Sequence, residues 1–112
     1  MNQGKLQEAC TLADQVKESK GNRIGPQVYF NLGVIYAKGG HLEKAIENYQ
    51  KAVALSDPYP EAYFNLGLLY QQVGNVSAAQ ASFERFLAQW KGNPASPFVL
   101  EAVRSLKKLK ER

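Results

Sequence analysis

An all-α fold of antiparallel helix hairpins is predicted by three features of this 112-residue sequence. Tyr29-Phe30-Asn31-Leu32-Gly33 returns letter for letter as Tyr63-Phe64-Asn65-Leu66-Gly67, 34 residues later. Between these signposts, apolar residues recur at the three- and four-residue steps of one helix face. Proline and glycine punctuate the periodic runs, ending one helix and admitting the next. A unit too short to bury its own apolar face must lean on the next copy, so the expected architecture is a stack of hairpins closed by a capping helix.

Leu6, Ala9, Cys10, Ala13 and Val16 place an amphipathic helix over about 3–19. Its opening, Gly4-Lys5-Leu6-Gln7-Glu8-Ala9, resembles Gly40-His41-Leu42-Glu43-Lys44-Ala45, where the second helix of a hairpin begins. The chain is therefore expected to start halfway through a repeat, as a fragment of a longer protein; the other reading is that an upstream helix is not needed. Leu12 lies on the flank that a missing partner helix would cover.

After a polar connection over 19–25, Pro26 suits the first helical turn, where its missing N–H would find no intrahelical partner anyway. Val28, Tyr29, Leu32, Ile35 and Tyr36 carry that helix to Lys38, and Gly39-Gly40 ends it. Leu42, Ala45, Ile46, Tyr49, Ala52, Val53 and Leu55 mark the second helix, broken by Asp57-Pro58. The plan repeats from Pro60 to Val73, turns at Gly74-Asn75, and runs on over about 76–90. Short turns make such neighbours antiparallel. A final helix, from Ser96 or Pro97 to Lys110, carries Phe98, Val99, Ala102, Val103, Leu106 and Leu109. It follows the period at Phe98 and Leu100, then leaves it: Glu101 stands in the place of Gly67 and Arg104 in that of Tyr70. Phe86 replaces Ala52 and Trp90 replaces Ser56, and this added bulk is expected to pack against the cap.

The period extends to Tyr36 and Tyr70, Gly40 and Gly74, Ala45 and Ala79, Tyr49 and Phe83, and to Pro26, Pro60 and Pro94. This pattern over 34 residues resembles the tetratricopeptide repeat. The resemblance implies a right-handed stack of about two and a half repeats: a half repeat and linker over 1–25, repeats over 26–59 and 60–93, and a capping helix with a basic tail over 94–112. Glycine in a helix interior costs about 1 kcal/mol against alanine, so Gly33 and Gly67 suggest helices in close contact.

Composition narrows the function. Apolar content is 45% and no run reaches the length of a membrane span. The net charge of +4 resides in the last turns, at Arg104, Lys107, Lys108, Lys110 and Arg112 against Glu111; elsewhere nine basic residues balance nine acidic ones. A nucleic-acid surface normally needs a broader basic face, so neither nucleic acid nor membrane is the expected partner. One cysteine and no leader pattern at the N-terminus make the cytoplasm the expected location. With one His and one Cys, no metal site with typical ligand spacing can be assembled, no phosphate loop is present, and no cofactor or enzymatic activity is expected. Cys10 reads as a buried small hydrophobe and His41, in a turn, as solvated.

The resemblance implies that the first helix of each repeat lines a concave binding surface. It nominates Gln27, Phe30, Asn31, Val34, Ala37 and Lys38 in the first copy, and Glu61, Phe64, Asn65, Leu68, Gln71 and Gln72 in the second. Asn31 and Asn65 lie about 100 degrees around the helix from core Leu32 and Leu66. A carboxamide both donates and accepts, and can hold an extended peptide backbone; the alternative is that these asparagines cap or bridge helices. Phe30 and Phe64 would add apolar contact unless neighbouring helices cover them. A chaperone-tail carboxylate clamp, known in one sub-class, is not expected, because Phe30 and Val34 stand where it requires Lys and Asn. The expected function is a non-enzymatic scaffold that binds a peptide segment of a protein partner. The alternative is a homo-oligomer, or docking within a larger protein, through the uncovered first helix.

Overall fold

The computed structural model describes residues 25–111. The expectations for the N-terminal helix, Cys10, Leu12 and the half repeat fall outside these residues. Five helices make up the regular structure among the described residues: α1 (Pro26–Lys38), α2 (Leu42–Leu55), α3 (Pro60–Val73), α4 (Val76–Gln89) and α5 (Pro97–Lys110). None is long and apolar enough to cross a membrane. The chain divides into two compact units, with the break after Leu55. The first holds the α1–α2 hairpin; the second holds the α3–α4 hairpin and α5.

The punctuation works as its chemistry requires. Pro26, Pro60 and Pro97 each open a helix. At the end of α1, Gly40 adopts φ +83°, the His41 N–H donates to the Tyr36 carbonyl (2.9 Å) and the Gly40 N–H to that of Ala37 (3.1 Å). At the end of α3, Gly74 adopts φ +84° and the same two bonds recur, Asn75 to Tyr70 (2.9 Å) and Gly74 to Gln71 (3.1 Å). This left-handed glycine closes carbonyls the helix leaves open, at a φ that side-chain-bearing residues rarely adopt. Asn75 and Ser96 cap α4 and α5 by accepting from Ala78 (3.2 Å) and Phe98 (3.3 Å). Trp90, expected inside α4, is instead its extended C-terminal cap, and its indole N–H donates to the Asn93 carbonyl at 3.0 Å.

Within each hairpin the two helices meet at a glycine. A Cβ on Gly33 would lie 2.7 Å from Cε1 of Tyr49, and one on Gly67 2.6 Å from Cε1 of Phe83. Any larger residue would displace the ring, so both glycines mark the close approach that their helix-interior positions foretell. A second tie is duplicated. The Lys51 ammonium sits 5.6 Å from the centre of the Tyr29 ring, and the Arg85 guanidinium, one period later, 5.6 Å from that of Tyr63. Both join the start of a first helix to the later turns of its partner.

The second unit has an extra layer. Phe86 is buried, 5.2 Å from Phe64 and 5.3 Å from Trp90 between ring centres, and shares a core with Ala102, Leu106 and Leu109 of α5. The bulk added at positions 86 and 90 does pack against the cap. The connection into α3 is clasped by one carboxamide: Gln89 Nε2 donates to Asp57 Oδ1 at 2.6 Å, and Gln89 Oε1 accepts from the Tyr59 N–H at 2.9 Å.

Candidate functional site

The nominated residues form a stripe on each first helix. On α1, Gln27, Asn31 and Lys38 are exposed, while Phe30, Val34 and Ala37 are half-buried. Positions 27, 31, 34 and 38 are spaced by fours and threes, so they share one face. The Gln27 Nε2 amide donates to Asn31 Oδ1 at 3.3 Å, one turn along. Phe30 is fixed edge-on against Tyr49, 5.4 Å between ring centres, and still keeps part of its surface open. The stripe thus combines two coupled amides, an apolar patch at Phe30 and Val34, and a terminal ammonium at Lys38.

On α3 the corresponding face is partly closed. Glu61 and Gln72 are exposed, and Asn65, Leu68 and Gln71 are half-buried. Phe64 departs from the expected open contact residue: it is only 8% exposed. Its ring lies 6.1 Å from Phe83, 5.2 Å from Phe86 and 5.4 Å from Phe98. Phe98, at the start of α5, covers the side that is partly open at Phe30. Leu68 also packs against the core that α5 completes. In the second unit, then, Phe64 is a core residue, and the exposed part of the stripe is Glu61 and Gln72, with Asn65 half-buried between them.

Three features escaped the sequence reading. Asn48 of α2 is fully buried; its Nδ2 donates to the Lys44 carbonyl at 2.8 Å and its Oδ1 accepts no hydrogen bond. Its position, three after Ala45 and four before Ala52, puts it on the buried face of α2, so helical spacing marks it although its side chain is polar; Ser82, one period on, is buried too. His41 is half-buried rather than solvated, its ring edge-on to Tyr36 at 6.1 Å. The Gln89 clasp joins residues too far apart in sequence for any local motif to disclose.

Chemically, the stripes offer amides, apolar surface and single charges. Among the described residues no group of three His, Cys, Asp or Glu side chains could hold a metal ion. The Tyr59 phenol is raised above its usual range by partial burial, reinforced by the Glu61 carboxylate, so it stays protonated near neutrality.

The family description "TPR repeat" matches residues 33–74, and "Tetratricopeptide repeat" matches residues 62–95. The chain belongs to the tetratricopeptide-repeat family. Comparison with curated proteins gives no match. Among solved structures, this tetratricopeptide-repeat chain is similar to PcrH in complex with the chaperone binding region of PopD. There the TM-score is 0.78 at 19% identity, covering 97% of this chain and 81% of that one. It is also similar to the first TPR of Spaghetti (RPAP3) bound to the HSP90 peptide SRMEEVD, with a TM-score of 0.74 at 23% identity, covering 98% and 81%. A tetratricopeptide repeat protein from Parabacteroides merdae gives a TM-score of 0.75 at 26% identity, covering 98% of this chain and 41% of that one. At such identities the first two likenesses establish the fold.

Proposed function

We propose that this tetratricopeptide-repeat protein is a non-enzymatic interaction module that binds a peptide segment of a protein partner along the exposed stripe of α1. The observation that carries this reading is the exposed Gln27–Asn31 amide pair beside the partly open Phe30 and Val34. Peptide backbone needs both donors and acceptors, and its side chains need apolar seats; this face supplies both. Taken by itself, α3 offers the same chemistry at Asn65 and Leu68 over a smaller open area. Two proteins of the same fold are bound to protein segments, PcrH to a region of PopD and RPAP3 to an HSP90 peptide, which supports a peptide as the ligand class. The ligand here is not a chaperone-tail carboxylate, because Phe30 and Val34 put apolar groups where a cationic and amide cradle would be required. Nor is it nucleic acid: the net charge is confined to the last turns.

The test is selection from a phage-displayed random-peptide library, followed by titration of a recovered synthetic peptide. Micromolar affinity, about −8 kcal/mol, is expected for so short a surface. Asn31→Ala, with helicity verified by circular dichroism, is expected to weaken binding about tenfold, roughly the 1.4 kcal/mol of one lost hydrogen bond. Val34→Glu is expected to weaken it further. If the affinity of the selected peptide is unchanged in both variants, the α1 stripe is not the site.

A further inference from the structure

Helix α5 leaves open the face that the repeat pattern reserves for a neighbouring helix. Leu100 stands one period after Leu66 and two after Leu32; Val103 stands likewise after Leu69 and Ile35. Leu32, Leu66 and Leu69 are 5%, 3% and 5% exposed, whereas Leu100 and Val103 are 53% and 50% exposed. In the hairpins, Leu32 and Leu66 adjoin the glycines against which Tyr49 and Phe83 of the second helix pack. In α5 the buried residues are Ala102, Ser105, Leu106 and Leu109, turned onto the core shared with α4. Leu100, Val103 and Lys107 follow one another at helical spacing on the opposite side, and Arg104 and Lys108 flank them, all exposed.

We propose that this outer face of α5 is a second docking surface, and that it takes an amphipathic helix of a protein partner with small or aliphatic residues along its contact line and aspartate or glutamate on its flanks. The charge is one argument. Arg104, Lys107 and Lys108 border the apolar line, and the single acid within it, Glu101, is already paired with Arg104 at 3.6 Å. Lys110, at the edge, reaches Glu84 at 3.4 Å. The second argument is steric. Glu101 occupies the place where Gly33 and Gly67 admit an aromatic ring, so a second helix of this chain's own kind, bearing Tyr49 or Phe83, does not fit. Two copies meeting through α5 would gather Arg104, Lys107 and Lys108 of each into one interface, with Glu101 of each as the acid to offset them. A lipid surface calls for a wider apolar face with aromatic anchors; Phe98, although 54% exposed, lies against Phe64 on the other side of the helix from Leu100 and Val103.

The experiment uses the whole chain and a fluorescent, hydrocarbon-stapled 18-residue helix with leucine and alanine on one face and glutamate on both flanks. A matched peptide carries lysine at each glutamate. Anisotropy titration is expected to show saturable binding of the acidic helix, at least tenfold tighter than the basic one, weakening as salt rises. Val103→Asp and Lys107→Glu are each expected to weaken it at least tenfold with helicity retained, while Asn31→Ala leaves it unchanged. Amide chemical-shift changes should centre on residues 100, 103 and 107. The proposal is overturned if the acidic and basic helices bind alike, or if the shifts map to α1 or α3. It is equally overturned if the acidic helix fails to bind while Val103→Asp abolishes either self-association in sedimentation or attachment to anionic vesicles.

Discussion

Tyr49 in the first hairpin and Phe83 in the second fill the same seat against a glycine, but under different cover. Phe30, beside Tyr49, keeps part of its surface open; Phe64, beside Phe83, is enclosed by Phe86 and Phe98. The hairpins carry nearly one pattern, so the contrast comes from what is added. Ala52 gives way to Phe86, Ser56 to Trp90, and α5 folds over the result. One repeat pattern therefore leaves its first-helix aromatic partly open or buries it in a core, depending on what covers it.

The most damaging way to break this contrast is Phe86→Ala. The ring is 1% exposed and joins α4 to α5, so its loss should destabilise the protein by about 3–5 kcal/mol in chemical denaturation. The mirror change, Ala52→Phe, should destabilise by about 1–3 kcal/mol through overpacking. A smaller effect sharpens the comparison at the glycines. Gly67→Ala adds a Cβ 2.6 Å from the Phe83 ring. About 1–3 kcal/mol of overpacking is offset by about 1 kcal/mol of helix propensity, and the net destabilisation should be larger than for Gly33→Ala. The reason is that Phe83 is hemmed in by the core beneath α5, whereas Tyr49 shares its seat with a partly open Phe30. Phe83→Leu should relieve the strain of Gly67→Ala in a double-mutant cycle. The smallest effect concerns the duplicated cation–ring ties. Double-mutant cycles for Lys51 with Tyr29 and for Arg85 with Tyr63 should give coupling energies of about 0.5–1 kcal/mol each. A coupling in one hairpin alone would show that the ties are not equivalent.

Much of the fold was legible because proline, glycine and a 34-residue period are local signals. Gly40 and Gly74 had to be glycines for the left-handed turns they make, and the helix bounds followed from them. The candidate site was legible only in part. Gln27, Asn31 and Lys38 are exposed as their position in the repeat implies, and of the two phenylalanines expected to be open unless helices cover them, Phe64 is the covered one. The cause lies in α5, which carries apolar residues on two faces, Leu100 with Val103 and Ala102 with Leu106 and Leu109. Sequence spacing identifies both faces and cannot say which one turns inward. The answer depends on Phe86 and Phe98 both meeting Phe64 in space, a tertiary fact with no local signature.

Gln89 gives the second hairpin a property that its helices alone would not. With the two ends of one carboxamide, it holds Asp57 and the Tyr59 N–H at the entry to α3, while its own backbone forms the last turn of α4. Fraying at the exit of the hairpin and loosening at its entrance thereby become a single event. A pulling force applied between those ends would meet this side chain first, as a latch across the mouth of the loop, before it peeled either helix.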